Sequence, residues 1–191
     1  GVTILGGCCG TTPDHIAAER ALLAGRAPVR RELPDRFAVC GPQRVTSLAP
    51  GEVGVIGERI NPTGKKKMKE ALRSGSHDYV IAEAIAQERA GAQILDVNAG
   101  LPEIDECAVM CQLVDELLGV TTLPLQIDAS DPSVIEAAVR SYPGKALINS
   151  VSGKADSLAS VVPIAARYGC ALVGLTLDED GIPATAEGRL A

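Results

Sequence analysis

The chain has 191 residues, 46% of them hydrophobic but only 2% aromatic and none of them tryptophan, so its core must be aliphatic; a length of this order suits one large domain or parts of two. The net charge of −6 argues against a sequence-independent grip on nucleic-acid phosphates. No run approaches the roughly 18 uninterrupted apolar residues of a membrane span, so neither nucleic acid nor a membrane is an expected partner.

The first stretch, GVTILGGCCGTTPDHI, starts at Gly1 without a methionine and carries two adjacent thiols. It reads as a strand over Val2–Leu5, a cysteine loop, and a helix capped near Thr12–Asp14 that runs to about Ala24. No basic segment followed by an apolar one marks it for export. The six cysteines (Cys8, Cys9, Cys40, Cys107, Cys111 and Cys170) are sparse and uneven, which fits free thiols in a reducing cytoplasm rather than a disulfide framework. Adjacent Cα atoms lie about 3.8 Å apart, short of the usual disulfide span, so Cys8 and Cys9 would bridge only with strain. Residues 27–50, rich in Pro, Gly and Arg and lacking any helical period, read as an inter-domain linker.

From residue 51 the rhythm is apolar strand, loop, amphipathic helix. Strands are expected at Val53–Ile60, Ile94–Val97, Leu123–Ile127, Ala146–Asn149 and Ala171–Leu177. Helices are expected at His77–Ala92, Ile104–Leu118, Pro132–Ser141 and Ser157–Tyr168, with a last one barely begun at Thr185–Ala191. Such alternation predicts an α/β fold with a parallel sheet. Strand after strand ends in a carboxylate or amide: Glu58 with Asn61, Asp96 with Asn98, Asp128, Asn149, Asp178. Polar groups at successive C-terminal strand ends are what a (β/α)₈ TIM barrel gathers at one mouth. No GxGxxG follows the first strand, which disfavours a dinucleotide fold. Five βα units fall short of the eight in a barrel, so the fold is expected to be a partial barrel, cut at both ends.

Each candidate feature has a plain structural alternative. Glycine-flanked Cys8 and Cys9 could both reach one zinc ion, with a third ligand from elsewhere, or could be small residues in a tight loop. Asp96, Asp128 and Asn149 could be helix N-caps, although a set repeated strand by strand favours a site. Gly64-Lys65 in NPTGKKKMKE lacks the glycine spacing and the Ser/Thr of a phosphate-binding loop and reads as a loop capped at Thr63 before a solvated basic helix. Cys107 and Cys111, in phase with Ile104, Ala108 and Leu118, read as a buried helix face. His15 reads as a capping or surface residue, and DEDG (178–181) as a turn.

GGCCGTTPDHI resembles the last strand and loop of the homocysteine S-methyltransferase barrel. The motifs GERINPTGKKKM (57–68), LDVNAG (95–100), LPLQIDAS (123–130), YPGKALINSVSG (142–153) and LTLDEDGIPATAEGR (175–189) resemble, in order, the pterin-binding barrel of the cobalamin-dependent methionine synthase family. The resemblance implies three pieces: 1–26 as the end of a homocysteine-binding zinc barrel, 27–50 as linker, and 51–191 as the first part of a pterin-binding, dihydropteroate synthase-like barrel. It implies zinc ligation by Cys8 and Cys9, folate contacts from Glu58, Asn61, Asp96, Asn98, Asp128 and Asn149, and catalytic roles for Asp128 and Asn149. The implied reaction is methyl transfer from 5-methyltetrahydrofolate to homocysteine, giving methionine and tetrahydrofolate. Its carrier is methylcobalamin, held by a cobalamin-binding domain or protein outside this sequence.

Two rivals remain. A corrinoid-protein methyltransferase or a dihydropteroate synthase would share the barrel residues but not explain GGCCGTT. A folate-binding or structural remnant without turnover would suit an isolated part-barrel, and the 191 residues alone are expected to be inactive.

Overall fold

The computed structural model describes residues 4–27, 29 and 36–190. They form two compact units that divide between Asp35 and Arg36.

In the first unit, helix α1 (Pro13–Leu23) starts with Pro at its first turn behind N-cap Thr12. The Thr12 N–H donates to His15 Nδ1 at 3.0 Å, so His15 is a capping residue, as its position suggested. The strand expected over Val2–Leu5 lies partly outside the described residues. Ile4 and Leu5 are in no strand, and both are exposed, because they have no ladder partner among the described residues.

The second unit opens with a feature the composition concealed. Within the expected linker, β1 (Phe37–Cys40) and β2 (Val45–Leu48) pair as an antiparallel hairpin. A four-residue strand is too short to show a period against Pro and Gly on both sides, and its order comes from docking. Cys40 N–H donates to Lys145 O at 3.0 Å, and the Thr46 hydroxyl donates to Gln93 O at 2.9 Å. Gln93 and Lys145 lie just before two strands of the main sheet, so the hairpin covers the strands' N-terminal ends.

That sheet is parallel and in sequential order: β3 (Ile56–Ile60), β4 (Ile94–Asn98), β5 (Leu125–Asp128), β6 (Leu147–Ser152), β7 (Ala171–Leu175). The strands are joined through α2 (Lys66–Ser74), α3 (Asp78–Arg89), α4 (Glu106–Leu118), α5 (Pro132–Ser141) and α6 (Ala155–Tyr168), and a short α7 (Ala186–Leu190) follows. Each helix from α2 to α6 packs on the next, and α3 to α6 also pack on strands, so the helices form one layer on one face. A doubly wound sheet would reverse its strand order and place helices on both faces. Sequential order with a single helical layer is the (β/α)₈ barrel arrangement over five units, as the polar strand ends suggested.

Side-chain alternation splits the interior into two cores. Leu95, Val97, Leu125, Ile127 and Ile148 point outward into the helix layer, with Met68, Val80, Met110, Leu113, Leu117 and Ile135. On the inner face Ile94 and Leu147 meet Val39 of the hairpin, flanked by Ala171 and Val173. The inner face is therefore apolar and plugged at its base. At 25 cal/mol per Å², each fully buried aliphatic side chain contributes about 1.5–3 kcal/mol.

Local details differ from expectation where packing overrides pattern. The helix after NPTG starts behind Lys65, not Thr63, and is not wholly solvated: Met68 and Leu72 are buried. On α4 the buried stripe is Met110, Leu113, Val114 and Leu117. Cys107 and Cys111 flank that stripe half-buried rather than centring it. Among the described residues no group of three His, Cys, Asp or Glu side chains is placed to hold a metal. No described helix is long and apolar enough to cross a membrane.

Candidate functional site

The upper inner face is polar because register and alternation agree. Asn98 lies opposite Asp128 and Asp128 opposite Asn149, making one row across β4, β5 and β6. One step toward the base, Asp96 lies opposite Gln126. Parity puts all five side chains on the face away from the helices.

These groups bond to one another. Asn98 Nδ2 donates to Asp128 Oδ2 at 2.9 Å. Gln126 Nε2 donates to Asp96 Oδ1, and Asn149 Nδ2 reaches the same oxygen at 3.4 Å. Burial pushes the Asp96 carboxyl up to about 6; nearby Asp128 and Glu58 add to the rise, and the two amide donors oppose it. Asp96 is 2% exposed, whereas Asn98, Asp128 and Asn149 are half-buried, so the cup deepens from a wet rim to a dry floor.

None of Asp96, Asp128 and Asn149 is a helix cap. The caps are separate residues: Asp105 accepts from Ala108 N–H at 3.0 Å, and Asp131 from Ser133 N–H at 2.8 Å. The strand-end groups are therefore spared for another purpose. Asn98 and Asn61 are partly committed, each accepting from the backbone two residues on, Gly100 and Thr63, at 2.8 Å. Asn61 makes no side-chain bond to the cup, and Glu58 sits exposed at its edge, paired with Lys65 Nζ at 3.6 Å.

Two residues, Gln126 and Glu106, do not stand out in the sequence, and a third, Lys65, reads there only as part of a loop. Gln126 looks like one polar residue in an apolar strand, and only its alternation with Ile127 hints that it faces inward. Glu106, at the start of α4, has its carboxyl pushed up by burial and then by Asp131 and Asp128. Lys65 donates to the Glu58 and Arg59 carbonyls at 3.2 Å, tying the loop after β3 back to its strand.

In the first unit, Cys8 and Cys9 are exposed free thiols with sulfurs 3.8 Å apart. The Cys9 backbone N–H, and then its thiol, hold the Cys8 thiol below its usual range.

A sequence model described as pterin binding enzyme matches residues 57–189, which includes every residue of the cup. The chain belongs to the pterin-binding enzyme family. A second model, homocysteine S-methyltransferase, matches residues 1–23. Methionine synthase of Mycobacterium tuberculosis (strain ATCC 25618 / H37Rv) is 32% identical over 196 residues, an alignment covering 100% of this chain and 16% of that protein. The chain thus spans about a sixth of that relative's length. Among solved structures, dihydropteroate synthase (FolP) from Thermus thermophilus is 26% identical, with a TM-score of 0.44 over 70% of this chain and 46% of that one. The same organism's enzyme in complex with 6HMPPP is 24% identical, with a TM-score of 0.42 over 70% and 47%. For a member of the pterin-binding family, amides and carboxylates converging on an inner barrel face are suitable chemistry, since a pterin edge offers both hydrogen-bond donors and acceptors.

Proposed function

We propose that this chain forms part of a cobalamin-dependent methionine synthase, whose reaction moves a methyl group from 5-methyltetrahydrofolate to homocysteine. The observation that carries the reading is the Asn98–Asp128–Asn149 row with Asp96 beneath it. In this reading residues 36–190 supply half of the folate cup, and residues 4–27 supply two metal-binding thiols at the end of the homocysteine-binding barrel. Its free cysteines suit a cytoplasmic setting.

In the cup, Asp128 accepts from ring N–H groups of the pterin, and Asn98 holds that carboxylate in place. Asn149 carries both a donor and an acceptor, which suits a position near N5, where the proton count changes during transfer. N5 is a poor leaving group until it gains positive character. A hydrogen bond that strengthens in the transition state therefore raises the rate more than one made equally to bound substrate. Asp96, on the dry floor, sets the charge under the ring.

Cys8 and Cys9 fit a zinc ion. Two thiolates each about 2.3 Å from a tetrahedral zinc lie about 3.8 Å apart, the separation seen here. They would be two of its ligands; zinc, when bound, keeps a coordinated substrate thiol ionised at neutral pH. A cobalamin presented by a separate module would supply the methyl carrier, and no residue of this chain is assigned to it.

The test separates the two halves of the reaction in the intact protein. Asp128→Asn and Asn149→Ala should lower methyl transfer from 5-methyltetrahydrofolate by about 10²-fold or more. They should leave homocysteine methylation from supplied methylcobalamin within about twofold, because nothing in the cup serves that half. Cys8→Ser should do the converse and release zinc. Equal loss of both half-reactions in Asp128→Asn would contradict the reading.

A further inference from the structure

The roles above leave Gln126 unused, although it is 5% exposed and touches the most confined carboxylate of the inner face. Its Nε2 donates to Asp96 Oδ1. Its Oε1 is buried and has no hydrogen-bond partner among the described residues. Buried acceptors are almost always paired, so such an oxygen needs a reason. Reversing the amide gives none, because it would set Oε1 against the Asp96 oxygen and lose the donor that the carboxylate uses. Asp96 therefore fixes which way the amide faces, and the carbonyl is left unpaired on the inner face of the sheet, one step below the Asn98–Asp128–Asn149 row.

A pterin presents N–H donors on its pyrimidine edge, the complement of a buried carbonyl oxygen. We infer that Gln126 is a positioning residue of the pterin site: its amide nitrogen holds the Asp96 carboxylate while its carbonyl oxygen takes a ring N–H donor. This rests on the pterin reading of the cup and deepens it. Asp128, one row above, grips the ring from the rim, and Gln126 meets it from the floor. The bond to Asp96 accounts for the amide nitrogen but not for the carbonyl, which only a bound donor would satisfy.

The holding role has a pH signature. Asp96 is faced by Asp128 from β5 and Glu58 from β3, which raise its proton affinity, and by the amides of Gln126 and Asn149, which lower it. Removing the Gln126 donor shifts the balance upward.

The experiment is calorimetric titration of the intact protein with 5-methyltetrahydrofolate from pH 5 to 8, comparing wild type, Gln126→Met and Asp128→Asn. Gln126→Met should weaken binding about tenfold, as expected for one lost hydrogen bond from a buried site. It should also move the acidic inflection of the binding curve to higher pH, which a loss of packing alone would not do. Unchanged affinity and inflection in Gln126→Met, with binding lost in Asp128→Asn, would overturn the inference and leave the pterin reading standing. Absence of binding by wild type would remove that reading and this inference together. Should Gln126→Met not fold, a structure of the wild-type protein with 5-methyltetrahydrofolate decides: Oε1 within hydrogen-bond distance of a ring N–H supports the role, and Oε1 turned elsewhere refutes it.

Discussion

Asn98 and Asp128 are opposite residues on neighbouring parallel strands, and the 2.9 Å bond from Nδ2 to Oδ2 is anchored at its other end by Gly100 N–H on Asn98 Oδ1. Backbone, amide and carboxylate form a chain that leaves Asp128 one orientation. A carboxylate held before the ligand arrives loses less entropy on binding.

Asn98→Ala cuts that chain. Stability should fall by about 1 kcal/mol, typical for one partly buried hydrogen bond, and 5-methyltetrahydrofolate affinity by up to about tenfold. Asn98→Asp should do worse, since it sets a second negative charge against Asp128. Chemical denaturation and titration calorimetry measure both, and an Asn98→Asp variant that binds as well as wild type would show that the contact is incidental.

Asp96 predicts a pH dependence of unusual sign. Its folded value is about 6, above its ordinary 3.8, so the folded protein binds this proton more tightly than the unfolded chain. Relative to its value below about pH 4, the stability contribution of Asp96 declines as pH rises toward 6 and levels off about 3 kcal/mol lower above that. Asp96→Asn keeps the shape and removes the ionisation. The difference in Tm between wild type and Asp96→Asn, followed from pH 4 to 8, should change progressively in favour of the variant up to about pH 6.5 and then level off. A difference that stays flat across that range would mean Asp96 titrates normally.

The barrel was legible because its evidence is redundant: alternation of strand and helix repeats five times, and Asn98, Asp128 and Asn149 recur at corresponding strand ends. The hairpin at residues 37–48 was not legible, since four-residue strands whose order comes from docking on Gln93 and Lys145 carry no period of their own. Gln126 was hidden for a related reason. Its meaning depends on register with Asp96 thirty positions away, which a sequence motif does not encode. The strand at Val53–Ile60 begins only at Ile56, because before that point the chain has little sheet to pair with; Val55 N–H is met instead by the Gln93 side chain at 3.0 Å.

Tyr142 ties the end of α5 to the start of β5: its hydroxyl accepts from Leu125 N–H at 3.1 Å in a fully buried setting. Burial pushes its own ionisation up to about 12. Tyr142→Phe strands the Leu125 N–H and should cost about 1–3 kcal/mol. Because the folded tyrosine ionises later than the unfolded one, wild type should also lose stability between about pH 10 and 12, a decline absent from the variant. Denaturation midpoints from pH 7 to 11 test both, and identical wild-type and variant curves would remove the hydroxyl's role.

The base of the barrel and its mouth should fail separately, and Gly144 is the place to show it. A Cβ added there would sit 2.2 Å from the Cys40 carbonyl oxygen, a backbone atom with no side-chain freedom to retreat. Gly144→Ala must therefore push the hairpin off the strand ends, breaking the bond from Cys40 N–H to Lys145 O and uncovering Val39, Ile94 and Leu147. Partial exposure of three aliphatic side chains predicts a loss of about 2–4 kcal/mol. Amide exchange should quicken first across Phe37–Leu48. Asp96, Gln126 and Asp128 belong to the opposite end of the inner face, so pterin affinity measured well below the lowered Tm should stay within about twofold of wild type. If affinity falls in step with stability, the plug and the cup are one cooperative unit, and the division of the inner face into an apolar base and a polar mouth has no energetic meaning.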